Sequence, residues 1–219
     1  GKSRRAAAVC QTGAETEGVC GRDSGATTTT GNIEPAEEVG KRIYLEAWTR
    51  GWIRAVKKVV LGDGAEWIWN LADLHFPGAI QIVDLFHARQ HLWDLARRLY
   101  PSDSPAQKKW MGLHQKRWLD KGKVEKLVAS LRAIVSTDSD LLDKLRTEAN
   151  YFENHAERMR YPTFRRQHLF VGSAVIEAAC KTARGSRLNN SGNSATSRGT
   201  NANPTLIDPP PAAAVWGTC

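Results

Sequence analysis

Two short apolar runs constrain the fold of this chain more than any other feature. Lys57-Lys58-Val59-Val60-Leu61 leads straight into Gly62-Asp63-Gly64-Ala65, and Ala79-Ile80-Gln81-Ile82-Val83 leads straight into Asp84-Leu85-Phe86-His87. Each reads as a strand that ends on an acidic residue and passes directly into a helix. The helices are expected from Ala65 to His75, stopped by the Pro77-Gly78 turn, and from Leu85 to Tyr100. Strand, helix, strand, helix with short loops is the pattern of a parallel α/β sheet. A carboxylate at a strand end is held on a rigid element, which suits it to fixing a metal ion. The competing reading is that Asp63 and Asp84 only cap the helices that follow them.

Before these runs, Arg5 to Thr12 is compatible with a strand, residues 13–33 are loop-like and rich in Gly, Thr and Ser, and Thr27–Thr30 is compatible with an extended segment. Ile33 to Gly51 is expected to be helical. Pro35 suits its first turn, Glu34, Glu37 and Glu38 complement the N-terminal dipole, and Gly51 stops it. Ala36, Val39, Ile43 and Ala47 form its apolar stripe, continued by Trp48 or Arg50.

From Pro101 onward only helical periodicity remains, over residues 104–120, 123–135 and 138–159. Val124, Leu127, Val128, Leu131 and Ile134 share one face, Asp138 or Ser139 caps the last helix, and Pro162 ends the run. A helix carrying Glu177 is expected between Phe170 and Gly185. Residues 189–219 turn Asn/Ser/Thr-rich and then Pro/Ala-rich, and are expected to be a disordered tail.

Composition narrows the class. With 219 residues, 41% hydrophobic and 25% charged, the chain can build a globular core. Most of its 8 Trp are expected to pack inside. The net charge of +8 favours an anionic partner. The 4 Cys are scattered without a CxxC pair, which argues against a disulfide scaffold or a structural zinc site and fits a reducing cytoplasm. No apolar run approaches the roughly 20 residues of a membrane span, and the apolar stretch after Arg5 is too short for a signal peptide. A cytoplasmic protein with no membrane partner is the expectation.

Cutting and rejoining a phosphodiester commonly uses two divalent ions about 3.5–4 Å apart, held by carboxylates from separate elements. Asp63 and Glu177 are such candidates, and Gly62 and Gly64 would let backbone approach DNA. Lys108, Lys109, Lys116, Arg117, Lys121 and Lys123, then Arg158, Arg160, Arg165 and Arg166, offer a DNA surface interleaved with Trp110, Trp118, Tyr151, Tyr161 and Phe164. The plainer reading of that surface is a solvated helix face over buried aromatics. His87 and His91 share a helix face as in zinc hydrolases, but Ala88 stands where that motif needs its general-base Glu.

The runs Leu61–Asn70, His75–Ala79 and Ile82–Ala88 resemble the ISKra-type insertion-sequence transposases, which are similar in plan to the Mutator-like DDE superfamily. So do Tyr151-Phe152, Arg158-Met159-Arg160-Tyr161-Pro162, Leu169–Ser173, and Glu177 with Cys180-Lys181-Thr182. The resemblance spans residues 30–190 and its motifs keep their order. It implies an RNase H-like core, residues 1–100 and 163–188, interrupted by an all-helical insertion, residues 101–162. It makes Asp63 and Glu177 catalytic carboxylates that bind two Mg²⁺ or Mn²⁺ ions. Asp84 and His87 become a supporting pair, and Lys108, Lys109, Lys116, Arg117, Arg165, Arg166 and Arg187 contact DNA. The intact enzyme is expected to be a homo-oligomer on its DNA ends.

The chain departs from the family pattern at two places. The family's first Asp lies on a strand upstream of the segment matching Arg5–Thr12, and Asp23, in a loop, is a poor replacement. The family pattern continues through Gly185-Ser186-Arg187-Leu188 and then gives way to Pro-rich sequence. The expectation is an inactive fragment that lacks the first catalytic Asp and its strand, leaving a sheet edge unpaired. A catalytically dead DNA-binding remnant is the alternative.

Overall fold

The computed structural model describes residues 5–11, 27–32, 35–172 and 212–217. The chain divides into two compact units, Gly1–Lys58 with Ala174–Cys219, and Val59–Ser173.

In the first unit, β1 (Arg5–Gln11) pairs antiparallel with β2 (Thr27–Asn32), from Arg5 opposite Asn32 to Cys10 opposite Thr27. A strand late in the chain, Ala212–Gly217, pairs with the other edge of β1, Ala6 opposite Gly217 and Gln11 opposite Ala212. This corrects one expectation. The tail 189–219 is not structureless throughout, because Ala-Ala-Ala-Val-Trp-Gly is a local uncharged run that a composition averaged over the whole tail conceals. β1 is paired on both of its edges. The helix α1 (Ala36–Thr49) follows, with Pro35 at its N-cap and Glu37 and Glu38 in its first turn. It buries Val39, Gly40, Ile43 and Ala47. Trp48 does not extend the stripe: it is half exposed, and Arg50 turns to Glu46 at 2.8 Å. Gly51 ends the helix in the left-handed region at φ 81°.

The second unit opens with the expected alternation: β3 (Val59–Gly62), α2 (Glu66–His75), β4 (Ile80–Val83) and α3 (Leu85–Leu99). Strands β3 and β4 are parallel, Val59 opposite Ile80 and Gly62 opposite Val83. Val59, Val60, Leu61, Ile82 and Val83 are buried, as are Ile68 of α2 and Leu92 and Leu95 of α3. Each strand is shorter than its apolar run by one or two residues at the N-terminal end.

Within the second unit the described elements beyond α3 are helical only: α4 (Pro105–Met111), α5 (Val124–Arg132), α6 (Ser139–Asn154) and α7 (Tyr161–Arg166). The single helix expected over 104–120 is instead α4, a π-helical segment Gly112–Trp118 and a 3₁₀ turn Leu119–Lys121. The buried His114 imidazole donates to the Trp110 carbonyl at 2.8 Å within this widened stretch. Asp138 caps α6 through the amides of Asp140 and Leu141. Pro162 does not end the helical run. It sits in the first turn of α7, where its missing N–H has no intrahelical partner to lose. Of the tryptophans, Trp52, Trp69 and Trp110 are buried, whereas Trp48 and Trp93 are exposed. No helix among the described residues is long and apolar enough to cross a membrane.

Candidate active site at the ends of the parallel strands

Asp63 leaves the carboxyl end of β3 and Asp84 leaves that of β4, the side on which open parallel sheets place their ligand sites. The two ends are tied together, because the Asp84 amide donates to the Gly62 carbonyl at 2.7 Å. Asp63 is half-buried and its Oδ1 accepts from the Ala65 amide at 2.8 Å. That bond closes the turn before α2 and is not an N-cap, since the cap position is Ala65 and carries no side-chain bond. Asp84, in contrast, is buried and is the N-cap of α3, its Oδ1 accepting from the Phe86 amide at 2.8 Å. Capping therefore explains Asp84, while the Asp63 carboxylate closes the turn between β3 and α2.

The segment Leu169–Gly172 returns to this place. The Leu85 amide donates to the Val171 carbonyl at 2.8 Å, and Gly172 lies against Phe86 and Asp84. Glu177 and Arg187 lie outside the described residues.

His87, in the first turn of α3, is held below the usual imidazole range by burial and by the nearby His91, against the opposing pull of Asp63 and Asp84. It is therefore neutral at pH 7. Gly62 and Gly64 are each filled on the Cβ side. A Cβ on Gly62 would lie 2.9 Å from Ile68 Cγ2, and one on Gly64 would lie 2.6 Å from Tyr151 Cε2. Both glycines are occupied by packing.

The sequence reading missed what α6 contributes. Tyr151 donates its hydroxyl to the Asp63 carbonyl at 3.0 Å. Its ring stacks on His91 with centroids 4.1 Å apart and planes 12° apart, and meets His155 edge-on at 5.1 Å. His91 Nδ1 donates to Glu148 Oε2 at 2.7 Å, and Lys144 Nζ reaches Glu148 Oε1 at 2.5 Å. Burial pushes the Glu148 carboxyl up, but the hydrogen bonds and charges of His91 and Lys144 together outweigh it, and the group lies below its ordinary range. Burial and the carboxylates around it drive the Tyr151 hydroxyl far above the usual phenol range, so it remains a donor. The signal was present: Lys144, Glu148, Tyr151 and His155 recur at helical spacing, polar groups where a packed face is ordinarily apolar.

The described residues contain no group of three His, Cys, Asp or Glu side chains placed to hold a metal ion. Asp63 is a strand-end carboxylate, Asp84 is committed to α3, and the donor set described does not by itself complete a divalent site. The zinc arrangement fares no better, since His87 and His91 meet edge-on with ring centroids 5.0 Å apart and His91 is engaged with Glu148.

Lys108 and Lys109 lie in the last turn of α4, Lys116 and Arg117 in the π-helical segment, and Arg165 and Arg166 in the last turn of α7, all exposed. Three of the five interleaved aromatics are turned away from them, while Trp118 and Tyr151 are half-buried. Trp110, Tyr161 and Phe164 are buried, and Trp110 stacks on His114 at 3.8 Å. Arg158 and Arg160 are also diverted. Arg158 lies over Trp69 at 4.7 Å and donates to Gln81 at 2.7 Å, while Arg160 binds Glu125 and Glu157 at 2.5 Å each. No protein-family model matches the chain, and neither a curated protein nor a solved structure is significantly similar to it.

Proposed function

We propose that this chain is of the insertion-sequence DNA transposase lineage, with an RNase H-like core and a helical insertion. In this reading Asp63 and Glu177 are metal-binding carboxylates, and Asp84 and His87 support them. Lys108, Lys109, Lys116, Arg117, Arg165, Arg166 and Arg187 contact the DNA backbone. Divalent Mg²⁺ or Mn²⁺ would supply activation of the attacking oxygen and charge stabilisation of the leaving one. The protein would act in the cytoplasm, as a homo-oligomer in its intact form.

The observation that carries the reading is the Asp63 turn. It sits at the carboxyl end of a buried parallel strand, tied to the end of β4, the side on which open parallel sheets place their ligand sites. Two ions need a further carboxylate besides Asp63 and Glu177, so the chain by itself is expected to bind DNA without transferring strands. The exposed Lys and Arg side chains support the binding part.

The test is duplex DNA binding by fluorescence anisotropy over a salt series, with strand transfer assayed in Mn²⁺. About six phosphate contacts predict a slope of roughly −5 in log affinity against log salt. Replacing Lys108, Lys109, Lys116 and Arg117 by Ala should flatten it. Absence of binding at low salt removes the DNA-binding role. Mn²⁺-dependent strand transfer that is lost in Asp63→Ala overturns the expected inactivity and establishes the catalytic role of Asp63.

A further inference from the structure

We propose that the exposed crest formed by α1 and the 3₁₀ turn after it, Trp52–Arg54, is a docking surface on which the first unit lies against an anionic lipid bilayer. One side of this segment is core: Val39, Ile43, Ala47, Trp52 and Ala55 are buried. The other side is apolar as well, where a surface helix is ordinarily polar. Leu45 is 63% exposed, Trp48 50%, Ile53 56% and Val56 89%. These side chains fall within residues 45–56, so they form a local surface and not the scatter of single apolar residues that any protein shows. Leu45 and Trp48 are one turn apart on one face of α1, and α1 packs against the 3₁₀ turn. The Tyr44 ring stands beside Trp48 at 5.8 Å.

Cations frame this face. Residues 41–58 carry Lys41, Arg42, Arg50, Arg54, Lys57 and Lys58 against one carboxylate, Glu46, which Arg50 binds at 2.8 Å. Glu37 and Glu38 lie in the first turn of α1, at the far end from Trp48, and Lys41 holds Glu38 at 2.9 Å. Aliphatic side chains with a tryptophan beside them enter the boundary between headgroups and acyl chains, while Lys and Arg at the rim meet anionic headgroups. Other occupants fit less well. A second copy meeting the same patch sets cation against cation. A partner helix seats in a groove, whereas a helix crest is convex. Nucleic acid takes the cations but leaves Leu45, Ile53 and Val56 in water. A surface contact of this kind needs no helix that crosses the bilayer, and it does not depend on the DNA-binding residues of the second unit.

Co-sedimentation of the full chain with phosphatidylcholine vesicles containing about one-third phosphatidylserine tests the proposal. The chain should partition onto these vesicles and not onto pure phosphatidylcholine. Arg54→Gln with Lys57→Gln should weaken partitioning about 25-fold, roughly fivefold for each charge removed. Leu45→Ser with Val56→Ser should weaken it at least about tenfold, and both side chains are exposed, so the circular dichroism should not change. Replacing Lys108, Lys109, Lys116 and Arg117 by Ala should leave partitioning as it was. No partitioning of the native chain overturns the proposal. So does partitioning that survives Leu45→Ser with Val56→Ser and is lost with the second-unit cations, since that is charge attraction alone. Brominated acyl chains should quench less tryptophan emission in Trp48→Phe than in the native chain, and equal quenching places Trp48 outside the bilayer and overturns the docking pose. Displacement of the vesicles by a single-stranded oligonucleotide whose binding is abolished in Trp48→Leu assigns the face to base stacking instead.

Discussion

Gly64→Ala is the substitution that tests the arrangement at the strand ends most directly, because the structure assigns it two separate costs. The first is conformational: at φ 102° an L side chain is strained, by roughly 1–2 kcal/mol. The second is steric. The new Cβ would stand 2.6 Å from Tyr151 Cε2 and 2.8 Å from its hydroxyl oxygen. The ring cannot retreat cheaply, because His91 is stacked behind it at 4.1 Å and His155 closes one edge at 5.1 Å. Overpacking of this kind costs about 1–3 kcal/mol, so the total should be about 2–5 kcal/mol. Gly78→Ala supplies the control. Its φ is 77° and no described residue comes within 4 Å of its would-be Cβ, so only the conformational cost applies. Urea unfolding followed by circular dichroism at pH 7 measures both. In a Tyr151→Leu background the Gly64→Ala cost should fall to that of Gly78→Ala, a coupling of about 1–3 kcal/mol. If Gly64→Ala costs no more than Gly78→Ala in the native background, Tyr151 does not cover the turn in solution and the steric cost is refuted.

Three further outcomes are expected. Glu148→Gln should cost about 1–3 kcal/mol at neutral pH, because charge-assisted bonds to His91 and Lys144 become neutral ones. Since the folded Glu148 titrates below its unfolded value of about 4.3, its contribution is present above that pH and is lost as pH falls through the folded value; urea midpoints from pH 6 to pH 2 should show a shallower acid loss in the variant. The His114 imidazole is held below its ordinary range chiefly by burial, opposed by its bond to the Trp110 carbonyl, so its contribution is present above about pH 6.5 and declines as pH falls below it. His87 and His155 are lowered too, so His114→Gln should remove part of the stability slope between pH 7 and pH 5, and an unaltered slope refutes its share. Arg89 grips Asp120 with two bonds of 3.0 and 2.8 Å, and Arg89→Lys should cost about 0.5–1.5 kcal/mol by losing the fork, read from a double-mutant cycle with Asp120→Asn.

What could be read in the sequence was local. The βαβα run was legible because both strands are short and mostly apolar, Gln81 excepted, and both turns carry their own punctuation, Gly-Asp-Gly and Pro-Gly. Asp84 as a cap and Asp138 as a cap follow from short polar side chains at helix starts, and both are observed. What escaped depended on partners far away in the chain. Glu148 reads as an ordinary solvent-facing helix residue until His91 is placed beside it, and Tyr151 as one of the aromatics interleaved with the basic surface until Asp63 is. Pro162 was misread because a proline that cannot continue one helix suits the first turn of the next, and periodicity alone does not separate the two. The Trp110 and Trp118 interleaving suggested a stacking surface, but a helix that alternates basic and aromatic residues can turn the charges outward and the rings inward, as α4 does with Trp110.

This bears on what the helical part of the second unit is for. If residues beyond α3 served only to display lysines and arginines, α6 could cover the strand ends with leucine. Leucine would pack there at no electrostatic cost, whereas burying a carboxylate is unfavourable unless its bonds are made well. The chain instead buries Glu148 and satisfies it from two sides, with His91 from α3 and Lys144 from its own helix. Such a pair contributes less to stability than an apolar replacement would, but it fixes the azimuth of the imidazole, and the imidazole fixes the tyrosine. The element that gains from that orientation is the Asp63–Gly64 turn. The cost carried by α6 therefore goes with the order of that turn, whose Asp63 carbonyl accepts from Tyr151 and whose carboxylate closes on the Ala65 amide.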